Sequence, residues 1–116
     1  MITGMDSQSL QFVEILNRLK RGTLDEKVIW AHTGEYGEQF VAPLDNSHKA
    51  FVASAPGGQS VIFTMTNGEG VQTLYLDSAR ATDDLLRLAL LQLFVAVRDS
   101  LVHHITNEAL DAVKGL

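Results

Sequence analysis

Residues 82–113 read TDDLLRLALLQLFVAVRDSLVHHITNEALDAV, and the spacing of apolar residues in this stretch decides how the rest of the chain must be arranged. Thr82 is the predicted N-cap, with Asp83 and Asp84 in the first turn, where carboxylates favour the positive end of the helix dipole. Leu85, Leu86, Leu88, Leu90, Leu91, Leu93, Phe94, Val95 and Val97 follow. At ~100° per residue they surround the helix instead of lining one stripe. A helix apolar all round needs cover on opposite sides. From Leu101 onward the pattern is amphipathic: Leu101, Val102, Ile105, Ala109, Ala112 and Val113 share one side, and His104, Glu108 and Asp111 lie opposite. On a continuous helix this later apolar face points where Arg87 and Arg98 point. The phase conflict predicts a bend or break near His104–Asn107, with Thr106 or Asn107 capping a short final helix.

What the helix packs on is read from the residues before it, where the period changes from 3.6 to two. Segments 27–33, 38–44, 48–54, 59–66 and 71–77 alternate in the manner of strands. Between them lie Gly34–Gly37, Asp45-Asn46-Ser47, Ala55-Pro56-Gly57-Gly58 and Asn67-Gly68-Glu69-Gly70, all short and all rich in turn formers. Five successive strands with hairpin-length links predict an antiparallel meander. Val61, Phe63 and Met65 alternate with Ser60, Ile62, Thr64 and Thr66, so one face is apolar and the other mixed. That is the signature of a sheet covered by helices on one side only. Pro43 marks an edge strand or a strand end.

Residues 7–21 give a first amphipathic helix, capped by Asp6 or Ser7 and stopped by Gly22; Leu10, Val13, Leu16 and Leu19, with Phe12 and Ile15, form its apolar face. The fold class is therefore α+β, a single domain over 1–116: an N-terminal helix, a five-stranded antiparallel meander, and a long C-terminal helix, bent or broken, packed on one sheet face.

Composition narrows the functions. Of 116 residues 46% are hydrophobic and 20% charged, a globular balance able to bury a core. There is no cysteine, which removes disulfides, thiolate–zinc sites and cysteine nucleophiles. The net charge of −5 disfavours phosphate backbones and anionic membranes. Arg18, Lys20 and Arg21, the one basic cluster, sit at a helix C-terminus where cations complement the dipole. No nucleic-acid partner is expected. The first six residues lack the basic and apolar regions of a signal peptide, and Leu85–Val97 is too short to span a bilayer. The cytoplasm is the expected location, with no membrane partner.

Candidate chemistry is sparse. His104, Glu108 and Asp111, four and three residues apart, lie on one helical face and could ligate zinc, manganese or iron; Asp99 and His103 form a second pair. A solvated helix face has the same composition, and no second histidine completes a zincin pattern. His32 or His48 could serve as a general base beside Glu35 or Glu38. No serine nucleophile motif, phosphate cradle or βαβ unit is present, and no cofactor is expected. Trp30, flanked on its own face by Val28, reads as core.

These features give a non-enzymatic binding or adaptor module that homodimerises through the apolar helix, with Leu86, Leu90, Leu93, Phe94 and Val97 as the expected interface. The alternative is a metal- or small-ligand-binding protein using His104, Glu108 and Asp111. In gross features (small, acidic, α+β, an apolar helix near the C-terminus) the chain also resembles the bacterial secretion chaperones. That resemblance implies a dimer of similar size. It departs from their pattern in running five strands together, where theirs are interrupted by a helix.

Overall fold

The computed structural model describes residues 7–33, 39–45, 47–55 and 60–116. Two helices flank five strands: α1 (Ser7–Leu24), β1 (Ala31–His32), β2 (Gln39–Pro43), β3 (Lys49–Ser54), β4 (Val61–Thr66), β5 (Gln72–Asp77) and α2 (Asp84–Ala112). The strands form one antiparallel sheet in the order β1-β2-β3-β4-β5, so each pairs with its neighbour in sequence. This is the α+β meander that the period change implied. The expected Gly34–Gly37 turn, Glu35, Glu38, Pro56-Gly57-Gly58 and the Asp6 cap lie outside the described residues.

Register explains the two faces. Phe40, Val52, Phe63 and Leu76 are opposite one another across four strands, and all are buried. Ala42 and Ala50 form a second inward pair next to Met65 and Leu74. Small residues at 42 and 50 let a helix approach the sheet closely. On the other face Val41, Phe51, Thr64 and Tyr75 make a row that is half-buried or exposed, with no element of the described chain laid over it.

The helices lie on the inward face. α2 meets β3 and β4, the middle strands, and α1 packs along α2. Leu86, Leu90, Leu93, Phe94 and Val97 of α2 enter the core with Leu16 and Leu19 of α1. The Phe94 ring lies 6.0 Å from that of Phe40. Asp83, not Thr82, caps α2: its side chain accepts from the Leu85 N–H at 2.8 Å. Arg87 ties the same end down by donating to Asp84 and to the carbonyls of Ser78 and Ala81.

Two expectations for the helices are corrected. The expected break near His104–Asn107 does not occur, because α2 runs unbroken from Asp84 to Ala112. From Val102 to its end every residue of α2 is exposed, so no packing surface forces a change of phase there. α1 also continues past Gly22 to Leu24. Gly22 is there for proximity: a Cβ on it would sit 2.8 Å from Val28 Cγ2, so any side chain would push Val28 away.

The end of α1 is a Schellman turn, in which Lys27 N–H donates to the Gly22 carbonyl at 2.8 Å and Glu26 N–H to that of Thr23 at 3.1 Å. The residue at its left-handed position is Glu26, at φ 61°. The turn swings the chain back so that Trp30 is buried. Its indole N–H donates to Thr23 Oγ1 at 2.9 Å, and that hydroxyl donates to the Leu19 carbonyl at 2.7 Å. Of the expected 27–33 strand, Ala31 and His32 pair with β2 and the Thr33 N–H adds a bond to the Gln39 carbonyl at 2.8 Å, while the residues before them are spent on this return.

Among the described residues no helix is long and apolar enough to cross a membrane.

Two substitutions test this corner. Glu26→Gly relieves a left-handed non-glycine residue and should raise stability in urea unfolding by about 1 kcal/mol; an unchanged or lower midpoint would contradict the strain. Thr23→Val keeps the shape but strands the buried indole N–H, and should cost roughly 1–3 kcal/mol. A loss below a few tenths would show that the Trp30–Thr23 bond contributes nothing.

Candidate functional site

The chemistry proposed from sequence falls in three places. His104, Glu108 and Asp111 do share a face of α2, and that face lines an open groove of about 740 Å³ together with His32, Glu26 and the buried Trp30. The groove forms because α2 runs past the end of the sheet beside the short edge strand β1. It brings together His32 and the α2 triple, which sequence spacing could not relate. It does not gather ligands, however: among the described residues no three His, Asp or Glu side chains are grouped to hold a metal ion. Asp99 and His103 separate. Asp99 lines a second groove between α1 and α2, while His103 Nε2 faces the Asn107 amide at 3.1 Å.

His32 is exposed and meets the edge of Phe40, ring centroids 5.6 Å apart. Glu35 and Glu38, its proposed carboxylate partners, lie outside the described residues. His48 belongs to the β2–β3 hairpin, where its Nδ1 is 2.8 Å from Asp45 Oδ1. The same carboxylate oxygen accepts from the His48 and Ser47 backbone N–H groups at 3.2 and 3.4 Å. That arrangement closes a turn on an exposed hairpin, the His48 and Asp45 side chains being 41% and 69% exposed, with no enclosing cleft formed by the pair itself. The serines are likewise structural. Ser78 Oγ accepts from the Val61 N–H at 2.8 Å, extending the β4–β5 pairing by one bond, and Ser54 Oγ donates to the Ala55 carbonyl.

A further unassigned feature lies on α2 itself. Leu86, Leu90, Leu93, Phe94 and Val97, the expected partner-facing residues, are all inside the chain's own core. Their burial against sheet and α1 corrects the interface named from sequence. Leu88, Leu91 and Val95 point the other way and are exposed. Val102, Ile105, Ala109 and Ala112 continue the same line beyond the body, also exposed. The steps along this line alternate three and four residues, the 3.5-residue repeat of a coiled-coil seam. One position, Arg98, is charged; its guanidinium carbon sits 5.6 Å from the centroid of Phe94 on the same helix. Beside the seam, Lys20 of α1 donates to the Gln92 side chain at 3.2 Å, and Leu24 stands exposed next to Leu91 and Val95. Sequence reasoning saw these residues as two phases of one helix. The signal that joins them, unbroken three-four spacing from 88 to 112, was there to be read but was hidden by the core residues interleaved with it.

No family model matches this chain, and neither does any curated protein or solved structure.

Of the ionisable groups discussed, Asp45 is held below the ordinary carboxylate range, first by the His48 side-chain hydrogen bond and then by the His48 and Ser47 N–H donors. A depressed folded-state value stabilises the hairpin above the ordinary Asp value of ~3.9, and that stabilisation is lost as pH falls through the lowered one. NMR titration of the Asp45 carboxyl should give a midpoint below the ordinary value, moving back up in His48→Ala. A midpoint at or above the ordinary value in the unsubstituted protein would refute the assignment.

Proposed function

We propose that this chain is a non-enzymatic protein-binding module, an adaptor whose docking element is the outer face of α2 and whose first occupant is a second copy of itself. One observation carries the reading. Leu88, Leu91, Val95, Val102 and Ile105 are 49%, 41%, 45%, 58% and 56% exposed, and they lie in one stripe along a single unbroken helix. Scattered apolar side chains on a surface are ordinary, but a contiguous stripe of this length is what interaction sites present. The inner face of the same helix is already occupied by the sheet and α1, so a partner meets the outer face.

The enzymatic alternatives gain nothing comparable. His48 and Asp45 stand on an exposed hairpin, and the His104 groove gathers no set of three ligands among the described residues. The uninterrupted strand order also keeps the chain apart from the interrupted pattern that a secretion-chaperone likeness implies.

Equilibrium sedimentation decides the matter. The 12.7 kDa chain should sediment as a dimer, and Val95→Asp should shift it to monomer while its far-UV circular dichroism stays that of the folded protein. Leu90→Ala, on the inner face, should instead destabilise the fold by about 2–5 kcal/mol. An unsubstituted chain that stays monomeric across the micromolar range would overturn the proposal.

A further inference from the structure

We infer that Asn67–Gly68, at the tip of the β4–β5 hairpin, is a self-modifying site: in the folded chain the Gly68 backbone nitrogen attacks the Asn67 side chain, and the carboxamide there is converted to a carboxylate.

The turn needs both residues for its own reasons. Asn67 N–H donates to the Val71 carbonyl at 3.0 Å, and Gly70 N–H donates to the Asn67 carbonyl at 3.0 Å, with Gly70 in the left-handed region at φ 77°. Asn67 Oδ1 in turn accepts from the Glu69 N–H at 2.9 Å and from the Val71 N–H at 3.1 Å. Position 68 requires glycine because of the neighbouring β2–β3 hairpin: a Cβ there would stand 2.7 Å from Ser47 Cβ. Packing thus sets an asparagine directly before the residue whose nitrogen reaches a carboxamide with least hindrance.

The same contacts favour reaction. Gly68 is exposed, and its N–H has no hydrogen-bond partner among the described residues, so solvent hydroxide can take its proton. The nitrogen then bonds to Asn67 Cγ, and the carbonyl electron pair moves onto Oδ1. The two N–H groups already directed at Oδ1 meet that charge, as the donors of an oxyanion hole do. When the pair returns, the bond from Cγ to the amide nitrogen breaks; that nitrogen takes a proton from water and leaves as ammonia. A cyclic imide remains, and water opens it to aspartate or isoaspartate. Water is consumed, ammonia is released, and nothing is oxidised or reduced. Asn17 and Asn107 stand inside helices, where the following amide is tied to a carbonyl one turn back and cannot attack.

The aspartate product suits the turn. Asp45 already shows the arrangement in the β2–β3 hairpin, its Oδ1 accepting from the Ser47 and His48 N–H groups. A carboxylate at 67 takes the Glu69 and Val71 donors in charge-assisted bonds and adds a negative charge to a chain whose net charge is −5. Isoaspartate instead lengthens the backbone inside the turn. It displaces the Asn67–Val71 and Gly70–Asn67 bonds and presses Gly68 towards Ser47, so this product loosens the hairpin.

The test follows the full chain, folded and in guanidinium chloride, at mildly alkaline pH and physiological temperature by ion exchange, intact mass and tryptic mapping. Cleavage at Lys49 separates Asn67 from Asn46. The folded chain should gain a negative charge at 67 several-fold faster than the unfolded chain, releasing ammonia, with the rate rising as pH rises. Isoaspartate should be detectable with an isoaspartyl methyltransferase, and Asn67→Asp should co-elute with the aspartate product. Asn67→Gln, whose longer side chain closes a ring far more slowly, should remain unchanged, as should Asn17 and Asn107 in the folded chain. A folded-state rate at 67 equal to or below that of the unfolded chain would show that the hairpin shields the amide, and would overturn the inference. So would an Asn67→Gln chain that gains the charge at the original rate, since the conversion would then lie elsewhere.

Discussion

The inner stripe of α2 against the middle of the sheet is the contact on which the rest depends. Leu86, Leu90, Leu93 and Val97 bury themselves over β3 and β4, where Ala50, with Ala42 beside it on β2, leaves room and Val52 and Phe63 supply the floor. Without it the meander has an apolar face and nothing to cover it, and α1 has no partner of its own. Because this stripe follows i, i+3/i+4 spacing, it takes only one side of the helix. Whatever else is apolar on α2 is thereby turned outward.

That constraint produces the candidate site. A helix of 29 residues is about twice as long as the span the sheet can support, so its second half has no intramolecular surface to meet. Chains with an overhanging polar helix of this kind fray readily, since isolated helices of this length are marginal in water. Here the outer line stays apolar past the point where the body ends. Such a line lowers its free energy by pairing, and its repeat of 3.5 residues suits another helix better than a sheet edge or a loop.

The groove beside β1 shows how far residue spacing alone can mislead. His104, Glu108 and Asp111 satisfy the helical rule for a shared face, yet sharing a face does not aim three side chains at one point. Their projection into an open groove with His32 is a consequence of where the overhang starts. Asp45 and His48 show the opposite case, a histidine–carboxylate pair at good distance that belongs to the closure of an exposed hairpin.

The elements are legible in the residue order: the amphipathic α1, the five alternating segments with glycine- and asparagine-bearing turns, and the continuous apolar run that must be helical. Those follow from local periodicity and turn chemistry, which act over a few residues. It also held the Schellman reversal only faintly, since Glu26 stands where glycine would announce the turn. Tertiary structure alone decided which apolar residues of α2 face inward. Around 85–97 nearly every position is hydrophobic, so periodicity has no contrast from which to choose a side. Packing makes the choice, because only one face can meet the alanine-floored sheet while α1 lies alongside. Once it is made, Leu86, Leu90, Leu93, Phe94 and Val97 become core. Leu88, Leu91 and Val95 then join Val102 and Ile105 as one outward line, and the apparent break in phase disappears.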